Sequence, residues 1–287
     1  MEQLLKIKKE DNSDNLSSKL DWTVSKIRLK TEEKNILTPY YATIRNDTNA
    51  VLGCVSDVYK VFDNNKLIEL AQRVCDERDF KIGGYLEIDG GKKVIVQIFN
   101  GKIDFRGDTF FNYLSIFNSF TGKNKLGVTL SNRLSSCQNQ FYHAPDQGKF
   151  CFQHSGDMEA NVQKMLDSIK GVEKEQDKFY DDMEAFYNHP INDVNKVEMT
   201  LKLLGYKLSD LEDENNDLST KMINKYNLII DCINSEMLDK GESLYGWFNG
   251  ITYYCTYYTK SVYRGIGLKL SNDAYIQCLR KVKALPE

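Results

Sequence analysis

The sequence predicts an α+β fold: an N-terminal antiparallel sheet with a packed helix, followed by a mainly helical C-terminal half. Three observations carry that prediction. Residues 20 to about 142 hold short β-rich runs separated by turn residues. Asp89-Gly90-Gly91 sits between two such runs, where glycine supplies the positive φ of a tight hairpin. From Asp157 onward the apolar residues change to helical spacing.

The elements follow in order. Residues 1–19 are polar and read as a flexible tail; they contain no apolar core of the kind a secretory signal needs. "WTVSKIRL" reads as a strand, and "YYATIR", "NDTNA" and "VLGCV" read as strand, turn and strand. Asp63 to Arg78 places Leu67, Leu70, Ala71 and Val74 on one helix face. "YLEIDGGKKVIVQIF" is the clearest hairpin, and "NYLSIFNSF" with "LGVTLSNRL" flanks the turn-like "TGKNK". A long amphipathic helix is expected from Asp157 to Tyr187, with Met158, Val162, Met165, Leu166 and Ile169 in register. His189-Pro190 stops it, because a proline disfavours helix in the residue before it. Helices near 194–205, 217–238 and 243–260 follow, with the acidic "LSDLEDENNDLS" as a solvated loop. The expected organisation is a tail at 1–19, a β-rich domain at 20–156 and a helical region packing on it at 157–287.

Composition narrows the function classes. Of 287 residues, 41% are apolar and 28% charged, as in a globular protein, and no apolar run is long enough to span a bilayer. The seven cysteines form no C-x-x-C pair, which suits reduced thiols in a cytoplasm. The net charge of −3 is split. Residues 1–150 carry 22 Lys+Arg against 19 Asp+Glu, and the remainder carries 16 against 22. That modest positive excess suits an anionic partner, although it falls short of a basic stripe.

Cys137, His143, Cys151 and His154 lie within eighteen residues, but only the last two have the close spacing usual in a structural zinc site. No metal or cofactor is therefore expected. A thiol hydrolase could be assembled from Cys137, His154 and Asn139, yet no glycine or helix start stands by to supply an oxyanion hole or to depress the thiol pKa. "DGGKK" has hairpin spacing, not that of a phosphate loop.

Nucleic acid fits the residues better. Lys123, Lys125 and Arg133 fall in a stretch free of acidic residues between Asp108 and Asp146, among Phe117, Phe120, Phe141 and Tyr142. Interleaved cations and aromatics suit single strands, where phosphates pair with cations and bases stack. Gln138 and Asn139 add amides to the same groove. The alternative is a polar cluster at a strand end, with the aromatics in the core. The late "YGWFNGITYYCTYY" places Tyr245, Phe248, Thr252 and Cys255 on one helix face. Such a face serves a subunit interface or packs on the chain's own core.

The order of the motifs then adds a resemblance. "LDWTV", "NAVLGCVSDVYKVFDN", "FNSFTGKNKLGVTLSNRLSSCQN", "FQHSGD" and "ESLYGWFNGITYYCTYY" occur in that sequence from about Leu20 to Tyr258. The chain resembles the phage/plasmid-like protein family, a domain of unknown function carried by phages and mobile elements. The family pattern falls on Trp22, Gly53, Tyr59, Asn118, Ser119, Arg133, Cys137, Gln138, Asn139, His154, Asn249 and Thr252. Three positions depart from it: Phe120 and a tyrosine near 257 stand where histidine is usual, and Gln153 where arginine is usual. The outline is also similar to single-strand annealing proteins. The resemblance implies a phage or mobile-element habitat and this architecture more than a mechanism; joined to the cations and aromatics above, it gives the expectation of a non-catalytic protein that binds single-stranded DNA in recombination or replication, as a possible homo-oligomer without membrane contact. A protein-interaction role without nucleic acid is the alternative, and a Cys/His hydrolase a third.

Overall fold

The computed structural model describes residues 16, 18–122, 125–134, 140–142, 151–212, 219–259 and 266–284. Among the described residues there are nine strands: β1 Val24–Lys30, β2 Leu37–Arg45, β3 Val51–Ser56, β4 Lys81–Ile88, β5 Lys93–Phe105, β6 Asp108–Ser119, β7 Leu126–Leu134, β8 Gln140–Tyr142 and β9 Cys151–Phe152. The helices are α1 Asn64–Arg78, α2 Met158–Tyr187, α3 Asp193–Leu204, the single turn α4 Ser209–Glu212, α5 Thr220–Lys240, α6 Leu244–Tyr257 and α7 Ile266–Lys283. The α+β class expected from the sequence is what the chain adopts.

The first half holds two sheets where the sequence suggests one. Strands β1-β2-β3 form a three-stranded sheet, and β4-β5-β6-β7-β8 lie in that order in a second, with β9 added to β7. The break has a simple cause: the 15-residue α1 intervenes between β3 and β4, so these strands cannot close a hairpin. The turn at Asp89 to Gly91 has three successive positive φ angles, 53°, 67° and 96°. A second tight turn, at Arg106 (φ 50°) and Gly107 (φ 88°), joins β5 to β6. Arg-Gly is a weaker turn signal than Asn-Gly or Asp-Gly, and the sequence reading does not include it.

The described residues fall into two compact units. The first comprises those of Met1–Phe105, Phe110–Ser131 and Pro145–Glu173. Its core follows from strand alternation: Val94, Val96 and Ile98 on β5, Leu114 and Ile116 on β6, and Leu126, Val128 and Leu130 on β7 share one face. Leu67, Leu70 and Val74 of α1 and Met165, Leu166 and Ile169 of α2 pack into the same cluster. The three-stranded sheet is pressed against the end of β6. A Cβ on Gly53 would lie 2.5 Å from the Thr121 Cα, so only glycine fits there. Trp22 packs on Phe120 with ring centroids 5.6 Å apart.

The second unit comprises the described residues of Arg106–Thr109, Asn132–Ala144 and Lys174–Glu287. Its central contact is α5 against α6. Gly246 and Gly250, one turn apart, bring the α6 backbone onto Gly241 and Ile233, where any Cβ would collide. Ser219 caps α5 by accepting from the Met222 N–H, and Ser243 caps α6 by accepting from the Gly246 N–H. The aromatic helix forecast near 243–260 is therefore core: Trp247 and Phe248 are fully buried, and Trp247 Nε1 donates to Thr200 Oγ1 at 3.1 Å. Asn249 is buried as well, but its amide donates to the Tyr245 carbonyl at 2.9 Å, within its own helix.

One buried ion pair anchors this unit. Lys240 Nζ lies 2.8 and 2.9 Å from the two Asp108 oxygens, and the Tyr245 hydroxyl donates to Asp108 Oδ2 at 2.8 Å. Both charged side chains are almost wholly buried, so each relies on the other for the hydration it has lost. Lys240→Met leaves the Asp108 carboxylate in place without its cation. Chemical denaturation at neutral pH should show a loss of about 3–5 kcal/mol, with partial recovery on adding Asp108→Asn. A loss under about 1 kcal/mol would show the pair to be dispensable.

Candidate nucleic-acid interface

Of the residues singled out from the sequence, Lys123, Gln138 and Asn139 lie outside the described residues, as do Cys137 and His143. Phe141 and Tyr142 fall on β8. Lys125 directly precedes β7, and Arg133 is near that strand's other end, half-buried and already engaged by a neighbour. Lys125 clusters with the first unit and Arg133 with the second.

Lys125 has company that the sequence reading missed. On β5, Lys93 precedes Val94, so alternation turns it to the face opposite the core. Phe117 occupies the same face of β6, next to the core residue Ile116, and Lys93 Nζ lies 4.6 Å from the centroid of its ring. Gly127 of β7 is the Cα partner of Cys151 on β9, which places the thiol on this face too. Burial pushes the Cys151 thiol above the ordinary cysteine range, while the positive charges of Lys125 and Lys93 pull it back. The thiol thus senses both lysines.

The state of Lys93 is informative. Its side chain is half-buried, and loss of water lowers its pKa, with a weaker opposing pull from Cys151. Among the described residues neither Lys93 nor Lys125 has a carboxylate partner. A cation withdrawn from water and left without a counter-ion costs stability. The Phe117 ring face recovers part of that cost through a cation–π contact. An anion from outside the chain would recover more. Strand alternation after the "DGG" turn was the signal available in the sequence: Lys93, not Lys92, is in phase with Phe117.

Behind this face, the family-pattern residues of the first unit build a brace. The Tyr59 hydroxyl donates to the Ser119 carbonyl at 2.8 Å, and Asn118 Nδ2 donates to the Phe62 carbonyl at 2.7 Å. The Ser119 hydroxyl donates to the Lys92 carbonyl at 3.1 Å, which ties the end of β6 to the residue before Lys93. His154 stacks on Tyr59 with ring centroids 4.8 Å apart, and its Nδ1 meets the Lys60 carbonyl at 3.2 Å. That contact makes Nδ1 the protonated nitrogen of a neutral ring. The Lys60 N–H in turn donates to the His154 carbonyl at 2.6 Å. These bonds fix residues 59–62 and the end of β6 to each other and leave the histidine engaged in structure. Among the described residues no group of three His, Cys, Asp or Glu side chains could hold a metal ion.

The His154 ring gives the brace a pH signature. Burial lowers its pKa below the ordinary histidine value of 6.5, opposed by the hydrogen bond to Lys60. The folded state therefore binds this proton less readily than the unfolded chain does. Stability is complete above the ordinary histidine value of 6.5 and falls as pH drops through the depressed folded value. Melting temperature should decline across that window, and His154→Gln should flatten the decline. Parallel slopes for the wild type and the variant would show that another group is responsible.

No curated protein and no solved structure matched the chain. Among the described residues no helix is long and apolar enough to cross a membrane. Residues 51–278, which include α1, the whole six-stranded sheet and most of the helical half, match the model of the family described as Domain of unknown function (DUF932), and the chain belongs to that family.

Proposed function

We propose that this protein binds single-stranded nucleic acid, DNA in the first instance, and that Lys93 and Lys125 hold its phosphates. The observation that carries the reading is the half-buried Lys93 ammonium, with no carboxylate partner among the described residues and Lys125 acting on the same thiol. A phosphate supplies what this cation lacks, a charge-assisted contact in partly dry surroundings. The run between Asp108 and Asp146 carries no acidic side chain that would repel an anion. Lys123, Arg133, Gln138, Asn139, Phe141 and Tyr142 are further candidates, put forward on the sequence alone as cations, amides and aromatics of the kinds that pair with phosphates and stack on bases. The finer assignment, a phage or mobile-element protein acting in recombination or replication, follows from the family resemblance.

The experiment is fluorescence anisotropy of a labelled single-stranded oligonucleotide over a salt series. Lys93→Met and Lys125→Ala should each weaken binding and lower the slope of log K against log salt by roughly 0.7. Phe141→Ala and Tyr142→Ala should cost about 1–3 kcal/mol per stacked base with little change of slope. Phosphate binding also restores the Lys93 proton, so affinity should fall as pH rises through its lowered pKa. Lys93→Arg should remove that dependence, because a guanidinium stays charged. Lys93→Met keeps the stem on Phe117 and removes a poorly solvated charge, so the protein should melt no lower than the wild type while binding is lost. Wild-type protein that leaves single strands free at low salt would end the reading. A Lys93→Met protein that melts markedly lower would make the lysine structural.

A further inference from the structure

We propose that Glu236 is a proton-binding site built into α5: the folded chain holds its carboxyl as the neutral acid, and loss of that proton loosens the contact of α5 with Asp108. Glu236 stands one turn before Lys240, and its side chain is 12% exposed. Its Oε2 lies 3.9 Å from Lys240 Nζ, beyond hydrogen-bond reach. That oxygen is buried and has no hydrogen-bond partner among the described residues.

Lys240 has no hydrogen left for it. An ammonium carries three N–H donors. Those of Lys240 go to Asp108 Oδ1 and Oδ2, at 2.8 and 2.9 Å, and to Asp239 Oδ2 at 3.3 Å. The Tyr245 hydroxyl donates to Asp108 as well. Were every carboxyl ionised, Asp108, Glu236 and Asp239 would set three negative charges around one ammonium. Asp239 is 78% exposed and has water to screen it, and Asp108 has the lysine and the tyrosine. Glu236 is buried with neither, so the proton settles there.

The titratable groups around this carboxyl are Asp108 from β6, Tyr245 from α6, and Cys232, Asp239 and Lys240 on α5 itself. Burial raises the Glu236 pKa above the ordinary glutamate value of 4.5; Lys240 opposes the rise, and Asp108 and Asp239 add to it. The folded chain therefore binds this proton more tightly than the unfolded chain does. Its contribution to stability is complete below 4.5 and is lost as pH rises through the raised folded value. Ionisation puts a further carboxylate charge beside Lys240, whose grip on Asp108 ties α5 to the start of β6. The second unit loosens as pH rises, the reverse of the dependence set by His154.

Chemical denaturation of the full chain, wild type against Glu236→Gln, over about pH 4 to 9 isolates the carboxyl, because His154 and every other group is common to both. The ratio of the two folding constants should be level at the acid end. It should then rise in the variant's favour by up to about tenfold per pH unit and level off above the raised folded value. In an Asp239→Asn background the upper break should move to lower pH, since one carboxylate no longer competes for Lys240. Carboxyl carbon NMR of the folded wild type should show a glutamate that titrates above 4.5 and is missing from Glu236→Gln. A ratio independent of pH, or a Glu236→Gln protein less stable than the wild type at neutral pH, would make Glu236 an ionised partner of Lys240 and overturn the proposal. A wild-type spectrum without such a glutamate does so equally.

Discussion

The first unit depends on one close approach, the seating of the three-stranded sheet on residues 118–121. Gly53 leaves room for the backbone at Thr121, and Thr43 donates to the Phe120 carbonyl from the neighbouring strand. Phe120 itself is buried against Trp22. With that contact in place, Tyr59 and Asn118 can reach their carbonyl partners, and the loop into α1 is held at both ends. A side chain at position 53 would push the sheet away from β6. The same displacement would loosen the Ser119 bond to Lys92 and with it the start of β5. The lysine at position 93 is therefore aimed by contacts made by its neighbours as well as by its own contact with Phe117.

This arrangement separates two kinds of work. Hydrogen bonds between uncharged groups hold the frame, and each contributes about 1 kcal/mol when buried and satisfied. The charges of Lys93 and Lys125 add nothing to that frame, and the desolvated one subtracts from it. The second unit uses charge in the opposite way. There Asp108 and Lys240 neutralise each other, and Tyr245 fills a further carboxylate lone pair. A buried lysine with its carboxylate is structural; the half-buried Lys93, with an aromatic ring and a thiol beside it and no carboxylate among the described residues, is what the proposed phosphate contact rests on.

Much of the fold was legible in the sequence because the periodicities are strong. The helices at Asn64–Arg78 and Met158–Tyr187 and the hairpin at Asp89 to Gly91 emerge close to their expected bounds. Two features were not legible. The split into two sheets rests on where β3 and β4 find partners, which alternation within a strand does not encode. The Arg106-Gly107 turn uses an arginine with positive φ, a cost tolerated by that residue and invisible to turn statistics. Of the candidate site, Lys125 was identified from its neighbours in sequence. Lys93 was not, because 32 residues and a sheet register separate the two. Composition finds cations that are close along the chain; only strand pairing finds those that are close in space.

Two of the three positions that depart from the pattern of the resemblance, Phe120 and Tyr257, have packing roles in this chain. Phe120, in place of a histidine, fills the buried seat beside Trp22, where an imidazole would need a partner that this apolar site does not offer. Tyr257, also in place of a histidine, stands exposed at the end of α6 and packs its ring on Tyr253, with centroids 4.5 Å apart. The histidine that remains, His154, donates through Nδ1 to a carbonyl and stacks on a tyrosine that is itself hydrogen-bonded. Its imidazole is thus tied to the loop it supports, and a proton added to Nε2 would enter a buried space with no described acceptor. In this chain the ring makes one hydrogen bond and one stacking contact, which is the work of a brace.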